Sequence, residues 1–192
     1  MHLQQIAKSV AFAFALVTST SAFSATDGAL GVDSTGEIGV SLSVADRVLI
    51  SGLDDIPLGS YGGSGELTGA STFCVYRNGN GLYDLTVSSS NASGGTFRAA
   101  GGTAFIDYRV RVGDSIDASS SRPVNSGSTV VALSGSGTST SCGGADNAAL
   151  EVTFTEAALQ AAPTGAFTDV ITVLVQPSDG MPVRPTRPNR RP

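Results

Sequence analysis

The 192 residues contain no tryptophan, and histidine and lysine occur once each, as His2 and Lys8. Beyond residue 25 there is no imidazole to act as a base or metal ligand, and no amine to form a Schiff base or hold a phosphate. Ordinary His-dependent catalysis is excluded there, as are most zinc and copper sites. Catalysis by carboxylates alone stays open. Charged residues are also scarce, at 14%, with a formal net charge of −5. Such a surface does not attract nucleic acid by charge, so no nucleic-acid partner is expected. No apolar run reaches the roughly twenty residues that a membrane-spanning helix needs. No cofactor is expected.

Glycine, serine, threonine and alanine dominate what is present. The chain opens with Lys8, the apolar stretch "VAFAFALV" and the small residues of "TSTSAFSA". A basic start, a short apolar run and a small-residue exit describe a secretory signal peptide over 1–25, cleaved between about 22 and 25. The exported part then has no membrane span and fits one domain. Its two cysteines, Cys74 and Cys142, read as one disulfide, because an even count in an exported chain points that way. Two free thiols are the alternative. A bridge between them would contribute roughly 4 kcal/mol in the chain-entropy model.

Strand patterns recur along the exported part. "TGEIGVSLSV" (35–44) sets Ile38, Val40, Leu42 and Val44 on one face, with Gly39, Ser41 and Ser43 on the other. This two-residue period predicts a strand with one face buried. "RVLISG" (47–52) follows after Ala45 and Asp46, then a turn-rich stretch over 53–65. The runs 66–77 and 82–89 flank "NGNG", a strong short-range hairpin turn, and are expected to pair antiparallel. Over 103–113, Ala104, Ile106, Tyr108, Val110 and Val112 form an apolar face opposite Asp107, Arg109 and Arg111. Further strands are expected over 128–135 and 147–155, with Leu150, Val152 and Phe154 on one face, and a helical turn over 156–162. The stretch 165–177 is apolar on both faces, Ile171, Val173 and Val175 opposite Val170 and Leu174, which predicts a strand in the middle of the core. Seven or eight short strands with regular turn signals indicate an all-β, immunoglobulin-like sandwich; a jelly roll or small barrel is the alternative.

The organisation is therefore a signal peptide (1–25), an N-terminal segment (26–45), a sandwich domain (46–177) and a tail (178–192). The tail, "SDGMPVRPTRPNRRP", is too rich in proline and arginine to form a core and is expected to be extended and mobile. It is either a solvated end or a basic arm for an acidic surface.

Candidate chemistry is sparse. Asn78, Asn80 and Asp84 have a spacing faintly like a calcium loop but lack its carboxylates. Asp54 and Asp55 are a carboxylate pair without a partner identifiable in the sequence. "NAS" (91–93) matches a glycosylation acceptor. The glycine-rich stretches lack the lysine and the strand-to-helix setting of a phosphate loop, and no serine has a base. No enzymatic activity is expected.

The closing stretch "PTGAFTDVITVLVQP" has Pro163, Gly165, Phe167, Asp169, Thr172, Val173 and Val175 in an outline that resembles the last strand of chaperone–usher pilus subunits. The spore-coat-U-like and class 5-like fimbrial branches are the nearest in pattern. The resemblance implies a sandwich lacking its final strand, with a hydrophobic groove filled first by a periplasmic chaperone and then by the N-terminal segment of the next subunit, delivered by an outer-membrane usher. Ile38, Val40, Leu42 and Val44 then resemble the donor residues. The groove would lie between 47–53 and 167–175, walled by Val48, Ile50, Ile171, Val173 and Val175. The role implied is a surface fibre for adhesion or biofilm formation, with identical or related pilins as partners. Two other readings stay open. In the second, residues 36–44 serve their own chain in a self-complemented sandwich that binds a glycan or other surface ligand, with Tyr61, Tyr76, Tyr83 and Tyr108 as the available tyrosines. A carboxylate-only hydrolase is the third.

Overall fold

Alternation of apolar and small polar residues, broken by glycine-rich turns, produces nine strands among the described residues. The computed structural model describes residues 25–117 and 120–178. The expected signal peptide, apart from Ala25, and the expected tail, apart from Ser178, lie outside them. In chain order the strands are β1 (Val48–Ser51), β2 (Leu67–Arg77), β3 (Leu82–Ser89), β4 (Phe97–Gly101), β5 (Ala104–Gly113), β6 (Arg122–Val124), β7 (Ser128–Ser134), β8 (Ala148–Phe154) and β9 (Ile171–Pro177). One short helix, α1 (Glu156–Ala161), is capped by the Thr155 side chain, which accepts the Ala158 N–H. Among the described residues no helix is long and apolar enough to cross a membrane.

The strands form two antiparallel sheets, an all-β, immunoglobulin-like sandwich. One sheet runs β1-β2-β8-β5-β4, with β6 also on β5; the other runs β7-β3-β9. Their inner faces share one core built on Phe73, Val75, Tyr83, Leu85, Val87, Val110, Val112 and Leu133. On β5, Ile106, Tyr108, Val110 and Val112 are buried while Asp107 and Arg109 are exposed, as the alternation requires. Leu150, Val152 and Phe154 of β8 are likewise buried. Cys74 of β2 is bonded to Cys142, with 5.8 Å between the Cα atoms.

Three expectations are corrected. The runs around "NGNG" form no hairpin: β2 pairs with β1 and β8, whereas β3 pairs with β7 and β9 in the other sheet. Both edges of the end of β2 are already taken. Residues 74–77 bond β1 on one side, and on the other the Ser136 N–H donates to the Val75 carbonyl while the Arg77 N–H donates to the Ser136 carbonyl. The turn therefore carries the chain across the sandwich. Gly81 there has a φ of 73°, and a Cβ would sit 2.9 Å from the Gly135 carbonyl oxygen, so glycine is needed.

The second correction concerns β9, which among the described residues is an edge strand and not a central one, paired with β3. Val175 is buried, but Val170 and Leu174 are more than half exposed. Side-chain character reports what the faces of a strand meet; it carries no information on how many neighbours bond its backbone. Third, residues 38–44 are not a strand, and Ile38, Val40, Leu42 and Val44 are 75–89% exposed. Alternation alone does not make a strand, because the backbone needs a partner ladder. Upstream, Thr26 and Glu37 exchange both backbone hydrogen bonds, at 3.0 and 2.9 Å, closing a small loop.

The short strands β4 and β6 escaped sequence reading. Each is brief, and β6 contains Pro123, which has no N–H for a ladder and is tolerated at a sheet margin.

Candidate functional site: an open groove between two sheet edges

Strand β1 is only four residues long and bonds β2 over 74–77, leaving residues 67–73 of β2 to pair with β8 alone. Beyond Ser51 the chain continues as a loop. Ile56 and Leu58 of that loop pack against the core, and the Asp54 N–H donates to Ser71 Oγ at 3.1 Å. On the other sheet, the second backbone edge of β9 has no strand partner among the described residues. Strands β1 and β9 lie against each other across the sandwich.

Beyond the end of β1, between the loop that follows it and the stretch leading into β9, opens a cavity of about 480 Å³. Leu53–Ile56 and Leu58 form one wall and Phe167–Ile171 with Val173 the other. The floor is Ala99, Tyr108, Leu150, Val152 and Phe154. Of the five residues expected to wall a groove, Ile171 and Val173 line this cavity. Val48 and Ile50 sit on β1, half-buried against the core, and Val175 is buried on β9. The floor residues were legible in the sequence as inward-facing; that they are reachable from outside was not.

Two polar clusters stand at opposite ends of β9. Outside the cavity lining, where β1 starts and β9 ends, Arg77, the last residue of β2, is buried. Its guanidinium donates to Asn80 Oδ1 (2.7 Å), to the Leu82 carbonyl (2.8 Å) and to the Ser178 carbonyl just after β9 (2.9 Å). It also pairs with Asp46, just before β1, at 3.2 Å. One cation thus ties the approach to β1 to the exit from β9.

At the other end Asp169 accepts hydrogen bonds from Tyr108 Oη, Ser90 Oγ (2.8 Å), Asn91 Nδ2 (2.9 Å) and the Val170 N–H (2.8 Å). Burial pushes this carboxyl up. Hydrogen bonds from Ser89, Tyr108, Ser90 and the Val170 N–H outweigh it and hold Asp169 below the usual carboxylate range. Burial, and next the bond to Asp169, push the Tyr108 phenol well above its ordinary value. The Tyr108 ring stacks on Phe154 at 4.9 Å and meets Phe97 at 5.6 Å. Thr168 exchanges two backbone bonds with Ala100 at the end of β4, and Phe167 lies over Gly101, where a Cβ would come within 2.7 Å of the ring.

Asp54 and Asp55 are exposed at the groove wall without an ion pair; the one salt bridge among the described residues is Arg77–Asp46. Asn80 Oδ1 accepts from the Arg77 guanidinium and the Leu82 N–H within the crossover turn, whereas the Asn78 side chain bonds Ala45 and Arg47 ahead of β1. Among the described residues no group of three or more His, Cys, Asp or Glu side chains is placed to hold a metal. None of the four tyrosines is exposed: Tyr83 and Tyr108 are buried, and Tyr61 and Tyr76 are half-buried.

No family model and no curated protein matches this chain. Among solved structures it has a likeness to a chaperone–tip adhesin complex of CFA/I fimbriae, at 14% identity with a TM-score of 0.48. The match covers 70% of this chain and 42% of that one, so the chain spans less than half of its neighbour. A likeness of this size does not bear on function.

Proposed function

We propose that this chain is a non-enzymatic structural subunit of a surface fibre of the pilus type, joined to its neighbours by donor-strand exchange and serving adhesion or biofilm formation. The observation that carries the reading is an apolar cavity between the 53–58 loop and the 167–173 stretch, beside the β9 edge that has no strand partner among the described residues. An extended segment laid in this groove gains a backbone ladder along β9, and its alternate side chains fill the cavity. Residues 38–44 of another copy have the required form: four alternating apolar side chains, exposed in the single chain. Burying those four at about 1.5–3 kcal/mol each supplies roughly 6–12 kcal/mol before ordering costs.

On this reading the chain is exported and handed on by a periplasmic chaperone and an outer-membrane usher, with identical or related subunits as its final partners. The test is an SDS gel of the assembled protein, loaded with and without boiling. A ladder that collapses to one band on heating supports strand-exchanged polymers; a single monomer band in both lanes rejects them.

A further inference from the structure

The residues that root the N-terminal segment are held unusually firmly. Asn78 Oδ1 accepts the Arg47 N–H at 2.7 Å, Asn78 Nδ2 donates to the Ala45 carbonyl at 2.8 Å, and the Asn78 N–H donates to the Arg47 carbonyl at 3.2 Å. Arg77 holds Asp46 between them. Residues 45–47 are thus bonded to the turn that follows β2.

This bears on whose groove the segment fills. To pair with its own β1, the segment must turn back through Ala45 and Asp46. A two-residue hairpin closes by a bond from the Arg47 N–H to the Val44 carbonyl, and needs a positive φ that Asn and Gly supply readily. Here that N–H is already given to Asn78, and the loop residues are Ala and Asp. The start of β1 and the end of β9 both meet Arg77, so the two strands run in opposite directions. A strand folded back antiparallel to β1 would run parallel to β9, whereas the named strands among the described residues pair antiparallel throughout and the isolated Tyr76–Ser136 bridge is the one parallel contact.

We propose that Arg77 and Asn78 form an anchor that denies the N-terminal segment its own β1 edge and directs it to a second copy of the chain. The anchor acts as a specificity device, favouring exchange between molecules over self-complementation. It rests on the reading of the groove as a strand acceptor.

The test inserts Gly-Ser-Gly between Val44 and Ala45 in the full chain, so that the segment turns back upstream of the anchored residues while every bond of the sandwich stays intact. Gel filtration and unboiled SDS gels measure the ratio of monomer to polymer. A short flexible link gives an effective concentration of order millimolar, so at about 10 micromolar chain the ratio is expected to rise by about a hundredfold. Asn78→Ala, which frees the Arg47 N–H, is expected to move it in the same direction; circular dichroism and the intact disulfide report folding for both variants. Equal polymerisation of the wild type and the insertion variant would overturn the anchor and leave strand exchange standing. A wild type that stays monomeric would overturn strand exchange, and the anchor with it.

Discussion

Strands β5 and β9 carry the same kind of apolar alternation and end differently. β5 is bonded on both edges, by β8 on one side and by β4 and β6 on the other. Its inward side chains are almost completely buried. β9 is bonded by β3 alone, and of its inward residues Val175 is buried whereas Ile171 and Val173 stay half-exposed over a cavity. The difference lies in the neighbours and not in the side chains. Among the described residues β5 is enclosed by its neighbours and β9 borders an open cavity, which predicts unequal responses to similar mutations.

The largest effect is expected at the groove floor, where the side chains are packed within the chain. Phe154→Ala removes a ring stacked on Tyr108 and should cost about 3–5 kcal/mol in urea unfolding. A loss below about 1 kcal/mol would mean that the floor is already loosely packed. Replacing both cysteines by serine opens a 68-residue loop and should cost about 2–4 kcal/mol in the same measurement.

Tyr108→Phe tests the link from β5 to the approach of β9, since it removes one donor to Asp169 and keeps the ring; about 1.5–3 kcal/mol is expected at neutral pH. The pH dependence has a definite sign. Asp169 titrates lower in the folded chain than its ordinary value. Its contribution is therefore present above the unfolded carboxylate value and is lost as pH falls through the folded one. Thermal melts between neutral and acid pH should show a smaller acid loss in Tyr108→Phe than in the wild type.

On β9, Leu174→Ala should change the stability of the single chain by no more than about 0.5 kcal/mol, because the side chain is half-exposed. The smallest effect is a gain. Ala132 sits at φ 56° with its N–H donated to Asp84 Oδ1, and Ala132→Gly should stabilise by about 0.5 kcal/mol, the relief of left-handed strain less the entropy of glycine.

What the sequence revealed follows the same division. The inward faces of β5 and β8 and the Cys74–Cys142 bridge were legible, because periodicity and cysteine count depend on the residues themselves. Asp169 and Phe167 stood out only through the outline of the closing stretch, and their partners Tyr108, Asn91 and Gly101 lie far away in sequence. The crossover at "NGNG" was misread because a turn signal is local, whereas Ser136 and strand β1, which occupy the flanks of the end of β2, are distant in sequence. The open groove was hardest to see. Leu150, Val152 and Phe154 read as core whether or not anything in the chain covers them.

The most direct measurement places one cysteine on the segment and one in the groove of the same chain, Leu42→Cys with Val173→Cys, and examines the oxidised protein on a non-reducing gel after boiling. Strand exchange predicts a ladder of chains cross-linked to one another that collapses on reduction. A single band at monomer mass, with the new disulfide mapped within one chain, would contradict it.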